Sequence, residues 1–210
     1  MAIQDAYQAV LAFDTAKVPE IVQAEIEAGT DSLSILNDGL ISAMDEVGKR
    51  FSDGDLFVPE MLMAAQAMKA GLEVLKPHLS NFDLHYKGTV VIGTVKGDLH
   101  DIGKNLVAMM MEGAGFKIVD LGVDVAVEKF ISAAKENQAG MIALSALLTT
   151  TMPAMKDVID ALEEEGMRDG VKVIVGGAPV TEGFSQSIGA DGHSPNAPGA
   201  VDLAKSLFSG

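Results

Sequence analysis

The chain has 210 residues, 48% of them hydrophobic and 21% charged, which supports a packed core and argues against disorder. Its formal net charge of −15 repels phosphate backbones and anionic bilayers, so nucleic acid and membrane are not expected partners. The absence of cysteine excludes disulfides and thiolate chemistry and is neutral on redox compartment; no apolar run reaches the roughly 18 residues of a bilayer span and no basic-then-apolar leader opens the sequence, so a cytoplasmic protein is expected.

Residues 1–80 carry only helical patterns. Weak stripes occupy 3–13 and 17–28, and Gly29-Thr30-Asp31 ends one helix and caps the next. Leu33, Leu36, Leu40, Met44, Val47 and Phe51 recur at spacings of three or four, which makes one apolar face. Ser52-Asp53-Gly54-Asp55 is a turn, Pro59 fits a first helical turn, and Met61, Ala65, Met68, Leu72 and Leu75 form a further stripe that Pro77 closes. Four helices with short connections predict a small antiparallel bundle. The stretch 81–87 reads as a linker, so the expected domains are 1–87 and 88–210.

From Gly88 onward the pattern alternates. Strands are predicted over 89–95, 117–120, 141–145, 171–175 and 190–193, and helices over 103–113, 127–137, 152–165, 181–188 and 197–208. Continuous apolar strands between helices mean a parallel sheet covered on both faces. The fold class is therefore α/β: an N-terminal four-helix bundle followed by a flavodoxin-like (Rossmann-like) domain with a five-stranded parallel sheet.

In such sheets ligands sit beyond the carboxyl ends of the strands. The first strand is followed by Gly97-Asp98-Leu99-His100-Asp101-Ile102-Gly103, the third by Ser145, Leu147, Thr149, Thr150 and Thr151, and the fourth by Gly176, Gly177 and Ala178. Asp98, two residues before His100, can bond one imidazole nitrogen and leave the other as a better metal ligand. Gly176-Gly177 would admit a flat or bulky ligand close to the backbone, and the hydroxyls supply uncharged donors and acceptors. A large, neutral, hydrogen-bonding ligand suits this edge better than a polyphosphate. Neither the Gly-x-Gly-x-x-Gly nor the Walker pattern is present, since Val95 and Asp98 stand where the former needs other spacing.

Asp98-x-His100-x-x-Gly103, then Ser145-x-Leu147, then Gly176-Gly177, resembles the three-part signature of cobalamin-binding proteins. The helical half, including 48–51 and 55–70, resembles the cap domain of methionine synthase and of corrinoid proteins from methyltransferase systems. In length the chain is similar to the small corrinoid proteins that serve methylamine, methoxyarene or betaine methyltransferases. The resemblance implies a cobalamin or related corrinoid bound base-off, with His100 as the lower axial ligand to cobalt. It implies a His–Asp–hydroxyl relay in which Asp98 bonds His100 and Thr151 takes the outer position. Ser145, Leu147, Thr149, Gly176 and Gly177 would line the slot for the nucleotide tail, with the Gly97–Gly103 loop and Ala178 also against the cofactor. His193 and Asn196 depart from the Tyr and Asp frequent in the family. Phe57, Met61 and Met63 would cover the upper face of the corrin, and the 81–87 stretch would act as a hinge.

The function implied is a methyl carrier, not an enzyme alone. It would be loaded by a substrate-specific methyltransferase and unloaded by a second one using a folate, pterin or thiol acceptor, with a reductive activase as a further partner. A cobalamin-dependent sensor and the small subunit of a corrinoid mutase are the alternatives. A plain divalent-ion site of Asp98, His100 and Asp101 would leave the Ser145 and Gly176 motifs unexplained.

Overall fold

Apolar stripes at helical spacing do form helices in the N-terminal part of the computed structural model, which describes residues 2–79 and 86–209. They are α1 (Ala2–Leu11), α2 (Lys17–Glu27), α3 (Ser32–Ser34), a π-helical stretch (Ile35–Ile41), α4 (Ser42–Ser52) and α5 (Val58–Leu75), followed by a 3₁₀ turn (Lys76–His78). α3, the π stretch and α4 run on as one rod, so four rods make the bundle. Gly29 has a positive φ of 78°, and the Asp31 carboxylate accepts from the backbone N–H of Ser34 at 2.9 Å, which ends α2 and caps α3. Glu60 accepts from the N–H of Phe57 at 2.8 Å, and Pro59 sits in the first turn of α5. Gly71 lets α2 approach α5, because a Cβ there would lie 2.6 Å from Val18 Cγ1.

The π stretch shifts the expected face. Ile35, Leu40, Ala43, Met44 and Val47 are buried, whereas Leu33 and Leu36 are only partly so. The five-residue step from Ile35 to Leu40 is the wider register of a π turn.

The second half alternates strictly: β1 (Thr89–Thr94), α6 (Ile102–Gly113), β2 (Lys117–Asp120), α7 (Val127–Glu136), β3 (Met141–Ser145), α8 (Pro153–Glu164), β4 (Lys172–Gly176), α9 (Glu182–Ser187), β5 (Gly192–His193) and α10 (Ala197–Ser209). All pairings are parallel, in the order β2-β1-β3-β4-β5, the flavodoxin-like arrangement. Thr94, Ser145 and Gly176 stand level with one another at the carboxyl ends of β1, β3 and β4. One face of the sheet, through Val91, Ile142, Leu144, Val173 and Val175, packs on Phe130 and Ala133 of α7 and on Met155, Val158 and Ile159 of α8.

The chain divides into two compact units, one of Met1–His85 with Gly113–Gly115 and one of Tyr86–Glu112 with Phe116–Gly210. The expected hinge over 81–87, and His85 within it, lie outside the described residues except for Tyr86 and Lys87. No described helix is long and apolar enough to cross a membrane.

Candidate functional site

β1 ends at Thr94, and the chain then turns through Gly97 at a φ of +83° before α6 begins. This turn buries Asp98 completely. Its carboxylate collects five hydrogen bonds. Oδ1 accepts from His100 Nδ1 at 2.7 Å and from the His100 backbone N–H at 3.1 Å. Oδ2 accepts from the N–H groups of Leu147 (2.8 Å) and Leu148 (3.1 Å) and from Thr151 Oγ1 (2.7 Å). Burial alone would raise the Asp98 pKa, but the bonds from Thr151, His100 and the Leu147 N–H outweigh it and hold the acid well below the usual carboxylate range. Asp98 is therefore a fixed anion.

That anion decides the state of His100. Nδ1 points at a carboxylate and so carries the proton, which leaves the lone pair on Nε2. The imidazole is half exposed, at 51%, so Nε2 can meet a ligand. Thr151 Oγ1 has one proton and two acceptors in reach, Asp98 and the Leu148 carbonyl at 2.8 Å. The Leu148 carbonyl already accepts from the N–H groups of Thr151 and Met152, so the hydroxyl proton belongs to Asp98.

Around His100 stand four apolar side chains that a soluble surface would ordinarily hide. Leu99 is 71% exposed and Ile102 87%, and Leu147 and Leu148 are each 42% exposed. Leu99 lies in the loop after β1 and Ile102 opens α6, both within two residues of His100, and Leu147 and Leu148 lie in the loop after β3, where their N–H groups meet Asp98. Gly103 adds room, since a Cβ there would meet nothing within 4 Å.

The structure thus joins Asp98, His100, Leu147 and Thr151 directly, with Gly97 against Thr151. Ser145 is half buried at the level of Gly176, and Thr149 and Ala178 are exposed; none of these three makes a side-chain bond to the relay residues. Asp101 bonds Asn105 instead of His100. Gly177 has a structural reason of its own, beside the expected ligand approach. Its φ is +130°, and a Cβ would lie 1.9 Å from the Ala146 carbonyl oxygen, so the glycine is required by the crossing of two backbone turns. His193 pairs with Val175, on the face covered by α7 and α8 and opposite to Ser145; it lies 3.7 Å from Glu182, and its Nε2 is buried without a partner. Met61 is buried core, while Phe57 and Met63 are exposed.

Sequence reasoning missed Leu148, whose N–H and carbonyl complete the relay. A backbone role leaves no mark on side-chain identity. It also missed Thr94, buried at the end of β1, whose hydroxyl donates to the His100 carbonyl at 2.9 Å.

The donor set is a single imidazole. Among the described residues no three His, Asp or Glu side chains converge as a metal cluster, and the Asp98 oxygens are filled by donors. The Asp98–His100–Asp101 ion site has no geometry to support it. One free imidazole nitrogen inside an apolar rim fits a metal that arrives with its other ligands in a flat macrocycle.

A family model described as a B12 binding domain matches residues 88–201, and a second of the same description matches residues 2–76. The chain is 43% identical over 208 residues to trimethylamine corrinoid protein 2 of Methanosarcina mazei, covering 98% of this chain and 95% of that one. It is 49% identical over 179 residues to dimethylamine corrinoid protein 1 of Methanosarcina acetivorans, covering 85% and 84%. A chain of the methanol:cobalamin methyltransferase complex of Methanosarcina barkeri superposes with a TM-score of 0.91 at 33% identity, covering all of this chain and 80% of that one. A cobalamin-binding protein of Desulfitobacterium hafniense gives a TM-score of 0.79 at 34% identity, covering 98% of each.

Proposed function

The chain belongs to the B12-binding family of corrinoid proteins, and from that we propose that it is a methyl carrier, loaded by one methyltransferase and unloaded by another. When bound, the corrinoid supplies a cobalt centre able to take and give a methyl group. The chain itself supplies position and electrostatics. His100 Nε2 would be the side-chain group that holds the cobalt, in place of the corrinoid's own nucleotide base. Asp98 holds the imidazole in the ligating tautomer, and Thr151 anchors Asp98 from the far side. The exposed Leu99, Ile102, Leu147 and Leu148 would pack against the macrocycle. The slot for the tail is assigned to the ends of β3 and β4, beside Ser145, Thr149, Gly176, Gly177 and Ala178. Phe57 and Met63, which are exposed, are the residues of the helical unit proposed to shield the cofactor; Met61 is buried.

The observation that carries the reading is the free Nε2 on a half-exposed imidazole whose other nitrogen is held by a buried carboxylate. The names of the curated relatives support a methylated amine as donor. The solved complex, named for methanol, makes that the other candidate, and the same complex supports a methyltransferase as docking partner. Catalysis of methyl transfer then resides in the complex. A second methyltransferase with a folate, pterin or thiol acceptor and a reductive activase complete the cycle in this proposal.

Reconstitution of the full chain with hydroxocobalamin tests it. Protein labelled with ¹⁵N-histidine, loaded and reduced to Co(II), should show histidine nitrogen hyperfine structure by electron paramagnetic resonance. His100→Ala should abolish that signal and weaken binding about 10- to 100-fold, the usual range for ligand-shell losses. A wild-type spectrum with the nucleotide base still on cobalt would refute the assignment of His100.

A further inference from the structure

We propose that the loop after β2 is the frame that fixes the lower ligand, with Asp120 as its hub and Lys104 and Asp124 as positioning residues. The proposal rests on His100 being that ligand. Asp120 ends β2 and sends out two hydrogen-bonded arms that converge on His100. In the first, Asp120 Oδ1 accepts from the Gly122 N–H at 2.9 Å, the Gly122 carbonyl accepts from the Thr94 N–H at 2.9 Å, and the Thr94 hydroxyl donates to the His100 carbonyl at 2.9 Å. In the second, Asp120 Oδ2 accepts from Lys104 Nζ at 2.5 Å, Lys104 also donates to Asn105 Oδ1 at 2.6 Å, and the Asn105 amide donates to Asp101 Oδ2 at 3.0 Å. Asp101 is the next residue after His100.

Asp124 closes the frame on the other side of the histidine. Its carboxylate accepts from the Gly97 N–H at 2.7 Å, and its own N–H donates to the Asp98 carbonyl at 3.0 Å. The two bonds grip the chain immediately before and at the relay carboxylate. To make them Asp124 adopts a positive φ of 51°, a conformation that Asp and Asn tolerate better than other residues with a side chain.

Burial sets Lys104 apart. Its side chain is 2% exposed, although it lies in the first turns of α6, and Asp120 is 38% exposed. A lysine is almost never buried unless paired, and the pairing of this one tethers the first turn of α6 to the end of β2. Such a tether would keep the loop that carries His100 in one position whether or not a cofactor is bound. Supporting groups behind a metal ligand commonly change affinity by an order of magnitude without touching the metal.

Lys104→Met and Asp124→Ala test the two sides of the frame separately. Lys104→Met keeps an apolar stem in the buried channel and leaves Asp120 able to meet water. Each variant, made in full-length ¹⁵N-histidine-labelled protein, is loaded with hydroxocobalamin and reduced to Co(II). The fraction of cobalt showing histidine nitrogen should fall relative to wild type, and corrinoid affinity should drop about tenfold. Asp124→Asn, which keeps an acceptor for Gly97 and tolerates the positive φ, should restore both. Circular dichroism selects the folded variants, and either arm alone decides for its own residue. Wild-type spectra and affinity in folded Lys104→Met and Asp124→Ala overturn the frame while leaving His100 as ligand. Absence of histidine nitrogen in the wild type itself overturns the ligand assignment and the frame with it.

Discussion

Replacing Asp98 by Asn removes one charge and turns one acceptor into a donor at a position with five incoming hydrogen bonds. The amide has two orientations. With its NH₂ toward Leu147 and Leu148, two backbone N–H groups lose their acceptor, and Thr151 must turn its proton to the Leu148 carbonyl. With its NH₂ toward His100, one backbone N–H is orphaned and the imidazole must accept at Nδ1, which moves its proton to Nε2. An unpartnered buried donor costs about 1–3 kcal/mol, so either orientation should destabilise the unloaded protein by about 3 kcal/mol once the charge-assisted bonds are also lost. The second orientation leaves fewer orphans and puts the histidine in a tautomer with no lone pair for cobalt. Asp98→Asn is therefore expected to lower the urea midpoint, weaken hydroxocobalamin binding about 10- to 100-fold and lose the histidine nitrogen signal. The acid side has a definite sign. Folding lowers the Asp98 pKa, so its contribution is complete above the ordinary carboxylate value and is lost as pH falls below it. The stability gap between wild type and Asp98→Asn should be constant near neutrality and narrow below about pH 4. An unchanged urea midpoint together with an intact histidine signal would refute the reasoning.

Two glycines of the signature should separate. Gly177→Ala is expected to cost more than about 3 kcal/mol in urea denaturation, because a φ of +130° is already strained for Ala and its Cβ would strike the Ala146 carbonyl. Gly103→Ala should raise the stability of the unloaded protein by up to about 1 kcal/mol through helix propensity, since its Cβ meets nothing, and should still weaken corrinoid binding in a spectral titration. The reverse ranking would show that the fold does not require Gly177. On the rim, Leu99→Asp and Ile102→Asp should leave stability within about 0.5 kcal/mol, both side chains being exposed. Each should reduce hydroxocobalamin affinity about tenfold, the worth of one apolar side chain no longer covered. Unaltered affinity would move the macrocycle elsewhere.

Much of this architecture is legible in the sequence because the relevant signals are local. The alternation of strand and helix from β1 to α10 follows apolar runs bounded by turn residues, and the strand and helix positions agree to within two residues at most ends. Asp98 and His100 are two residues apart, so their contact can be expected from spacing alone. The misreadings share a cause. The π stretch at Ile35–Ile41 keeps helical apolar spacing while changing the register of the buried face, so periodicity cannot find it. That the fold itself needs Gly177 is also hidden, because the neighbour that requires it, Ala146, lies on another strand's turn. Leu148, Asp120 and Asp124 act through backbone groups or across the sheet edge, where no sequence separation is diagnostic.

The strand order explains why these distant pieces meet. With β1 between β2 and β3, the chain leaves β1 toward β2 and leaves β3 toward β4. Right-handed crossovers then send α6 and α8 to opposite faces, and the turns after β1 and β3 diverge, opening a crevice at the switch point. Asp98 hangs from one side of that crevice, and Leu147, Leu148 and Thr151 hang from the other. A carboxylate placed there is the simplest way to join the two turns, since it can accept from both at once. The same anion, by holding the proton on Nδ1, leaves Nε2 of the half-exposed imidazole free to accept a ligand. Structural need and ligand chemistry thus fall on a single side chain. Asp98→Ala should for that reason fail in both respects, whereas His100→Ala should keep the two turns joined through Leu147, Leu148 and Thr151. A folded, urea-resistant Asp98→Ala would separate the two roles and break the argument.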